Sequence, residues 1–334
     1  MRQATGWLAG AALAAALAAA AQPGRQRFPQ PEPARAVIVK EIPGVVAAAS
    51  PWILAWQGTD NADGIIGTAD GGLLFAQEQP SRIRKLDPSD HVSVFLEDTH
   101  GTGALAMDSG GRLLGVERTC TDPGGEPDRC TEPTAVAVLA PVRKILADHV
   151  QGKSLGRLND LMAARNGGVY FNGAATYYMN PGGVVSVIGQ NIRTNGLLLS
   201  RDEKTLYVTN GAALVAFDIQ RDGTVRNQRE FARLEAGGTG DGMAIDSAGR
   251  LYVSSQPGVQ VFSPEGKYLG LIPTPREAIS VAFSGPDKKT MYIVGSGALG
   301  PDGKEFRTLE GVRNNAKSIY KIRTIAQGFQ GRAK

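Results

Sequence analysis

DGMAIDSAGRLYVS, residues 241–254, reads as a short apolar strand, a turn and a second apolar strand, with a carboxylate at its head. Runs of Met, Ile, Leu, Tyr and Val around an Asp/Ser/Gly turn are the signature of a β-hairpin. The same order recurs at ADGIIGTADGGLLFA (62–76), TGALAMDSGGRLLGV (102–116), NDLMAARNGGVYF (159–171), NGLLLSRDEKTLYVT (195–209) and SVAFSGPDKKTMYIV (280–294). Seven residues after Asp63, Gly103, Asn159, Asn195 and Asp241 come Asp70, Gly110, Asn166, Asp202 and Ala248, each inside a turn. Eleven or twelve residues after each head comes an apolar residue of the return strand: Leu74, Leu114, Tyr170, Tyr207, Tyr252 and Tyr292. The six copies start about 40, 57, 36, 46 and 39 residues apart, which suits four-stranded blades with loops of variable length. The fold class expected is all-β, a six-bladed β-propeller.

Segments Ser81–Leu86, Val136–Ala140, Val184–Ile188, Leu214–Asp218 and Val259–Ser263 supply the expected third strands. Val37–Ile42 and Ser318–Ile322 are expected to join the two chain ends in one blade. A sandwich or a two-domain α/β chain would need irregular strand spacing or amphipathic helical stretches between strands, and neither is evident. Glycine, 43 of 334 residues, agrees with a chain dense in turns.

Outside the repeats, residues 1–21 carry a charged start, an Ala/Leu-rich middle and small residues before Gln22, the pattern of a secretory signal peptide. A signal anchor is the competing reading, disfavoured because the run is short and Ala-rich for a bilayer span. Residues 22–34 read as a flexible Pro/Gln-rich linker, 35–325 as a single propeller and 326–334 as a C-terminal tail. The protein is therefore expected to be exported, periplasmic or secreted, with no stable membrane insertion after cleavage. Cys120 and Cys130, the only cysteines, flank a Pro/Gly-rich loop and read as a local disulfide. Half of a metal site is the alternative, without CxxC spacing or a nearby histidine to support it. A net charge of +4 with no basic cluster or interleaved aromatics leaves no nucleic-acid footprint.

In a propeller the first strand of each blade lines the central channel, so the heads of the repeats gather at one mouth. Four carry oxygen ligands, Asp63, Asn159, Asn195 and Asp241, whereas the other two copies begin near Thr102 and Ser280. Two carboxylates and two amide carbonyls suit one divalent cation, Ca²⁺ first, with Mg²⁺, Mn²⁺ or Zn²⁺ as alternatives. The competing reading is that Asp-Gly and Asn-Gly are ordinary turn dipeptides. Each copy already has its own turn seven residues later, so the leading dipeptide is not needed to reverse the chain. Loops after the second strands are expected to cover this mouth: Gln77–Gln79, Glu117 to the cysteine segment, Thr176–Asn180 with Tyr177 and Tyr178, and Gly295–Asn315. Glu117, Arg118, Tyr177 and His100 are the expected substrate contacts, together with Asn159. For His100 the alternative is an exposed loop histidine, and for Tyr177 and Tyr178 it is packing within the loop. There is no GxSxG elbow, no HExxH and no Gly-rich loop entering a helix, since GGTGDG precedes a strand.

LGRLNDLMAARNGGVYF (155–171), TNGLLLSRDEKTLYVTN (194–210) and GDGMAIDSAGRLYVSSQPGVQVFSPEGKYLGLIPTP (240–275) resemble blades of the senescence marker protein (regucalcin)/gluconolactonase family of six-bladed propellers. The resemblance covers residues 55 to 325 and implies a divalent-metal hydrolase acting mainly on lactones, with relatives that cleave organophosphates. It implies that Asn195 and Asp241 are metal ligands, that Asn159 binds metal or substrate, and that Asp241 is the catalytic base. Where the family usually opens its first blade with Glu-Gly-Pro, this chain has Asp63-Gly64-Ile65, which keeps the charge and shortens the reach by one methylene. The expected reaction is opening of a sugar lactone or similar cyclic ester by water, with the cation polarising the carbonyl. A phosphotriesterase-like hydrolase and a non-catalytic, metal-stapled binding propeller are the alternatives. Strictosidine-synthase-like propellers share the blade pattern but not this Asn/Asp set.

Overall fold

The computed structural model describes residues 28–118 and 133–331, and among these every regular element is a strand. The signal segment 1–21, both cysteines and residues 332–334 lie outside the described residues. No helix among the described residues is long and apolar enough to cross a membrane.

The chain enters through β1 (Ile53–Gly58) and then builds one antiparallel sheet after another. Blade one is β2 (Ile65–Gly67), β3 (Leu73–Gln77), β4 (Arg82–Leu86) and β5 (Val92–Leu96). Blade two is β6 (Thr102–Met107), β7 (Leu113–Glu117), β8 (Ala135–Ala140) and β9 (Lys144–Ala147), followed by a small hairpin of β10 (His149–Val150) and β11 (Lys153–Ser154). Blade three is β12 (Leu161–Ala163), β13 (Val169–Asn172), β14 (Thr176–Met179) and β15 (Val185–Ile188). Blade four is β16 (Thr194–Leu199), β17 (Thr205–Asn210), β18 (Ala213–Ile219) and β19 (Val225–Arg233). Blade five is β20 (Met243–Ile245), β21 (Leu251–Ser255), β22 (Gly258–Phe262) and β23 (Tyr268–Pro273). Blade six takes β24 (Ala278–Ser284), β25 (Thr290–Ser296) and β26 (Lys317–Arg323) from the C-terminal side and β1 as its outer strand, in the order β1-β26-β25-β24. The protein is thus a six-bladed propeller of four-stranded blades.

Ring closure differs from the expected pairing. Ile53–Gly58 pairs with Lys321–Lys317, whereas Val37–Ile42 does not enter the sheet. Pro43-Gly44 turns the chain, with Gly44 at φ 72°, and Ile42 bridges only to Val46. Val39, Ile42, Val45 and Val46 instead pack with Tyr252, Val261, Ile272 and Tyr320, sealing the seam between blades five and six. A second difference lies in blade three: Val184–Ile188 falls on the outer strand, and the third strand is Thr176–Met179. Gly173 N–H closes a tight turn on Ala175 carbonyl, so the chain reverses earlier than the Pro181-Gly182-Gly183 signal suggested. The other four expected third strands coincide with β4, β8, β18 and β22.

The second strand of each blade is almost wholly buried, because both faces of a blade meet its neighbours. Burial of Phe75, Phe171, Phe262 and Phe283 between blades supplies the hydrophobic drive that a single hairpin lacks. The hairpin turns repeat one device. Asp108 Oδ1 accepts from Gly110 and Arg112 N–H at 2.9 and 2.8 Å, and Asp246 Oδ1 from Ala248 and Arg250 N–H at 2.9 Å.

The residue after each blade's head has a different task. At Gly64 an added Cβ would lie 2.6 Å from Ala104 Cα, and at Gly196 it would lie 2.1 Å from the Asp241 carbonyl oxygen. Neither glycine has a positive φ, so the leading Asp-Gly and Asn-Gly dipeptides are not turns. They are places where one inner strand presses against the backbone of the next. This close approach narrows the channel and brings the heads of the blades together.

The two ends of the described residues also lie on the propeller. Of the expected linker, Gln30 donates to Thr308 Oγ1 at 3.0 Å and Glu32 carbonyl accepts from Arg276 Nη1 at 3.0 Å. Of the expected tail, Gly328 bridges to Asp246 and Phe329 carbonyl accepts from Lys288 Nζ at 2.9 Å.

Candidate active site

Four heads of blades meet at the channel mouth, and each is anchored through its own blade. Asp63 N–H donates to Ala76 carbonyl at 3.1 Å, Asn159 N–H to Asn172 carbonyl at 2.7 Å and Asp241 N–H to Ser254 carbonyl at 3.0 Å. Asn195 N–H donates to Thr209 Oγ1 at 3.3 Å. With the backbone fixed in this way, the side chains converge. Asn159 Nδ2 donates to Asn195 carbonyl at 2.9 Å and to Asn195 Oδ1, and the Asn195 side chain hydrogen-bonds Asp241. Burial, then the nearby Asp63 and Asp160 carboxylates, push the Asp241 carboxyl well above the usual carboxylate range.

Arg118, just beyond β7, reaches across the same mouth. Its Nη1 donates to Asp63 Oδ2 at 2.7 Å and to Glu78 Oε2 at 2.9 Å, its Nε to Leu158 carbonyl at 2.9 Å and its Nη2 to Asn159 carbonyl at 2.5 Å. Burial alone works against the charge on Arg118, but Asp63 and Glu78 more than offset it and raise its pKa. Arg157 donates to the two Glu78 oxygens at 3.1 and 3.3 Å, so Glu78 bridges two guanidinium groups. Even so, burial holds the Glu78 carboxyl above its ordinary range against the pull of Arg118 and Arg157.

The structure therefore brings together Asp63, Asn159, Asn195, Asp241 and Arg118. It does not bring in Glu117 or Tyr177. The Glu117 carboxylate is fully buried and held in two-point contact by Arg143 at 2.8 and 2.7 Å, which leaves it no free edge for a substrate. Tyr177 lies in β14 instead of a loop and stacks on Phe171 with ring centroids 5.1 Å apart, as Tyr178 stacks on Tyr170. Packing accounts for both tyrosines. His100 occupies the turn into β6, half-buried, with a left-handed φ of 50°, one residue before the Gly101 carbonyl that accepts from Arg118 N–H.

Glu78, Asp160 and Arg157 escaped the sequence reading. Asp160 directly follows Asn159, and its carboxylate accepts N–H groups from Leu161 and Leu197 at 2.9 and 3.1 Å, tying blade three to blade four. Glu78 lies in the loop after β3 that was expected to cover the mouth. Its position there was legible, but its pairing with arginines from two other blades was not.

The donor set fits a hard cation. Asp63 and Asp241 supply carboxylates, and Asn159 and Asn195 supply amide oxygens once their side-chain amides turn over. No three His, Cys, Asp or Glu side chains cluster among the described residues, so the two amides are needed to complete such a site.

Comparison with known proteins agrees with this fold. A gluconolactonase of Zymomonas mobilis is 28% identical over 273 residues, covering 70% of this chain and 76% of that one. The solved structure of a gluconolactonase from Xanthomonas campestris superimposes with a TM-score of 0.68 at 22% identity, covering 90% of this chain and 99% of that one. A calcium-binding protein, regucalcin, from Agrobacterium tumefaciens superimposes with a TM-score of 0.63 at 16% identity, covering 84% of this chain and 96% of that one. The family profile described as SMP-30/Gluconolactonase/LRE-like region matches residues 65–297. That span contains all six inner strands and the four converging heads save Asp63, and the chain belongs to the SMP-30/gluconolactonase/LRE-like family.

Proposed function

We propose that this protein is a lactone hydrolase, a carboxylic ester hydrolase of the gluconolactonase type, which uses one divalent cation, Ca²⁺ in the first instance, at the propeller mouth. The observation that carries the reading is the meeting of Asp63, Asn159, Asn195 and Asp241 beside the buried guanidinium of Arg118. The gluconolactonases among its relatives support the substrate class, and the calcium-binding relative supports the cation. Asp63, Asn159, Asn195 and Asp241 would hold the cation, which supplies charge to polarise the lactone carbonyl when bound. Asp241 acts as base: an Oδ atom takes a proton from water as the water oxygen bonds to the carbonyl carbon. The ring C–O bond then breaks and the proton passes to the departing ring oxygen. Arg118 positions Asp63 and the Asn159 backbone, and in this proposal Asn159 and His100 contact the substrate. The partner is a small molecule. An exported location, periplasmic or secreted, belongs to the same proposal and rests on residues 1–21.

Hydrolysis of D-glucono-1,5-lactone, followed by acid release above the spontaneous rate, tests the reading. Activity is expected to fall on chelation, to return with one added cation, and to be absent in a folded Asp241→Asn protein. A folded, metal-loaded protein inert toward a broad panel of lactones would overturn it.

A further inference from the structure

A cavity of about 730 Å³ opens over blades five and six, bounded by residues that the lactone reaction does not use. Its floor comes from Gln256 between β21 and β22, Glu277 before β24, Ser296 at the end of β25 and Lys317 at the start of β26. In an antiparallel blade these points share the end at which the inner strand begins, so the cavity lies on the same face as the four converging side chains. Its outer wall is the peptide 28–35. That peptide is tied down by Arg35 Nη2 on Gln256 and Thr274 carbonyls at 3.0 and 3.2 Å, and by the contacts of Gln30 and Glu32 already described.

The wall carries four cations, Arg35, Arg276, Arg313 and Lys317, of which Arg313 is exposed and Lys317 half-buried. Lys317 Nζ has only the Asn315 carbonyl at 3.5 Å, and neither Lys317 nor Arg313 has a carboxylate within 4.0 Å among the described residues. The charges felt by Lys317 are Asp63 of the mouth, Arg313 and Glu277, and Arg313 in turn acts on Arg157. Buried Arg276, also on the wall, is paired with Glu305 at 2.9 Å, yet its Nε has no hydrogen-bond partner. The two acids that line the cavity, Glu32 and Glu277, are exposed. Burial holds the Lys317 ammonium down to about 8, which still leaves it protonated at neutral pH.

We propose that this cavity receives an anionic substituent, a carboxylate or a phosphate, carried by the lactone whose ring is bound at the mouth, with Lys317 and Arg313 as its counter-charges. The proposal rests on the lactone reading and narrows it to acidic lactones. A neutral sugar would leave the Lys317 ammonium with no close counter-charge, whereas an anion supplies one through a charge-assisted hydrogen bond.

The test compares kcat/KM for D-glucono-1,5-lactone, D-glucaro-1,4-lactone and 6-phospho-D-glucono-1,5-lactone in the wild type, Lys317→Gln and Arg313→Gln. Binding of glucose, glucuronate and glucose 6-phosphate to the same proteins is measured by calorimetry. An acidic lactone is expected to be preferred, and the acidic-to-neutral ratio should fall at least about tenfold in each variant, the loss of one charge-assisted hydrogen bond. The two acidic lactones decide between carboxylate and phosphate. If neutral and acidic lactones are opened equally well, or folded variants keep the wild-type ratio, the proposal fails and the lactone reading stands. If no lactone is opened but an acidic sugar binds in a Lys317-dependent way, the anion site stands and the lactone reading fails. If no lactone is opened and no acidic sugar binds, both fail.

Discussion

Gly196→Ala is expected to damage the site through a residue that touches no substrate. An added Cβ at this position would lie 2.1 Å from the Asp241 carbonyl oxygen, 3.0 Å from Asp241 C and 3.2 Å from Gly242 Cα. Real Cβ contacts are not found below 3.0 Å, so the two inner strands must separate by about 1 Å. All three atoms belong to backbone held in the ladder by Asp241 N–H on Ser254 carbonyl, so no side-chain rotation relieves the clash. Overpacking of this kind costs about 1–3 kcal/mol. In a domain of about 300 residues that is a fall of roughly 2–5 °C in Tm. The strands that part carry Asn195 and Asp241, and a misplacement of about 1 Å costs on the order of a hundredfold in rate. Urea melts followed by circular dichroism, calcium titration and lactone hydrolysis measure the three effects on one preparation. Gly110→Ala is the control, because its Cβ would meet only Asp108 Oδ1 at 3.4 Å. If Gly196→Ala melts with the control and keeps wild-type calcium affinity, the idea that glycine sets the spacing of the site is refuted.

Three further outcomes are expected. Asp241→Asn should lower lactone hydrolysis by about a hundredfold to ten-thousandfold, the usual contribution of a general base, while circular dichroism shows a folded protein; activity within tenfold of wild type would move the base elsewhere. Glu78→Gln should destabilise the protein by about 3–5 kcal/mol in urea unfolding, because it leaves buried Arg118 short of a counter-charge, and a loss under about 1 kcal/mol would show that Asp63 alone suffices. The Asp70 carboxyl is held down to about 2 by the Lys85 ammonium, then by Thr68. A depressed carboxylate contributes stability above its unfolded value of 3.8 that is lost as pH falls toward about 2. Asp70→Asn should therefore flatten the acid side of the stability profile, by less than about 1 kcal/mol because the pair is solvent-exposed; an unchanged profile between pH 5 and about 2 contradicts this.

Blade number and the identity of the converging heads were legible because they are local facts repeated at a fixed interval. A hairpin needs only alternating apolar residues around a Gly or Asp turn, and the six copies carry these in plain order. Blade three was misread for the same reason. TYYM at 176–179 offers four residues without alternation, and only their stacking on Tyr170 and Phe171 in the neighbouring strand identifies them as β14. Glu117 and Arg118 are adjacent and both charged, yet one is locked to Arg143 and the other crosses to Asp63. Sequence carries no signal for that divergence, because successive residues leaving a strand point to opposite sides and their partners come from distant loops.

The sequence by itself determined that the chain repeats a strand-turn-strand unit six times and that Asp63, Asn159, Asn195 and Asp241 head four of those units. Turn chemistry and hydrophobic alternation act over a few residues, so they can be read without coordinates. Only the tertiary structure decided that β1 closes the ring, that Arg118 and Glu78 lie beneath the site, and that residues 28–35 wall a cationic cavity beside it. Those features depend on contacts between segments tens to hundreds of residues apart. Burial and charge pairing at such separations are set by how the blades close, not by any local pattern.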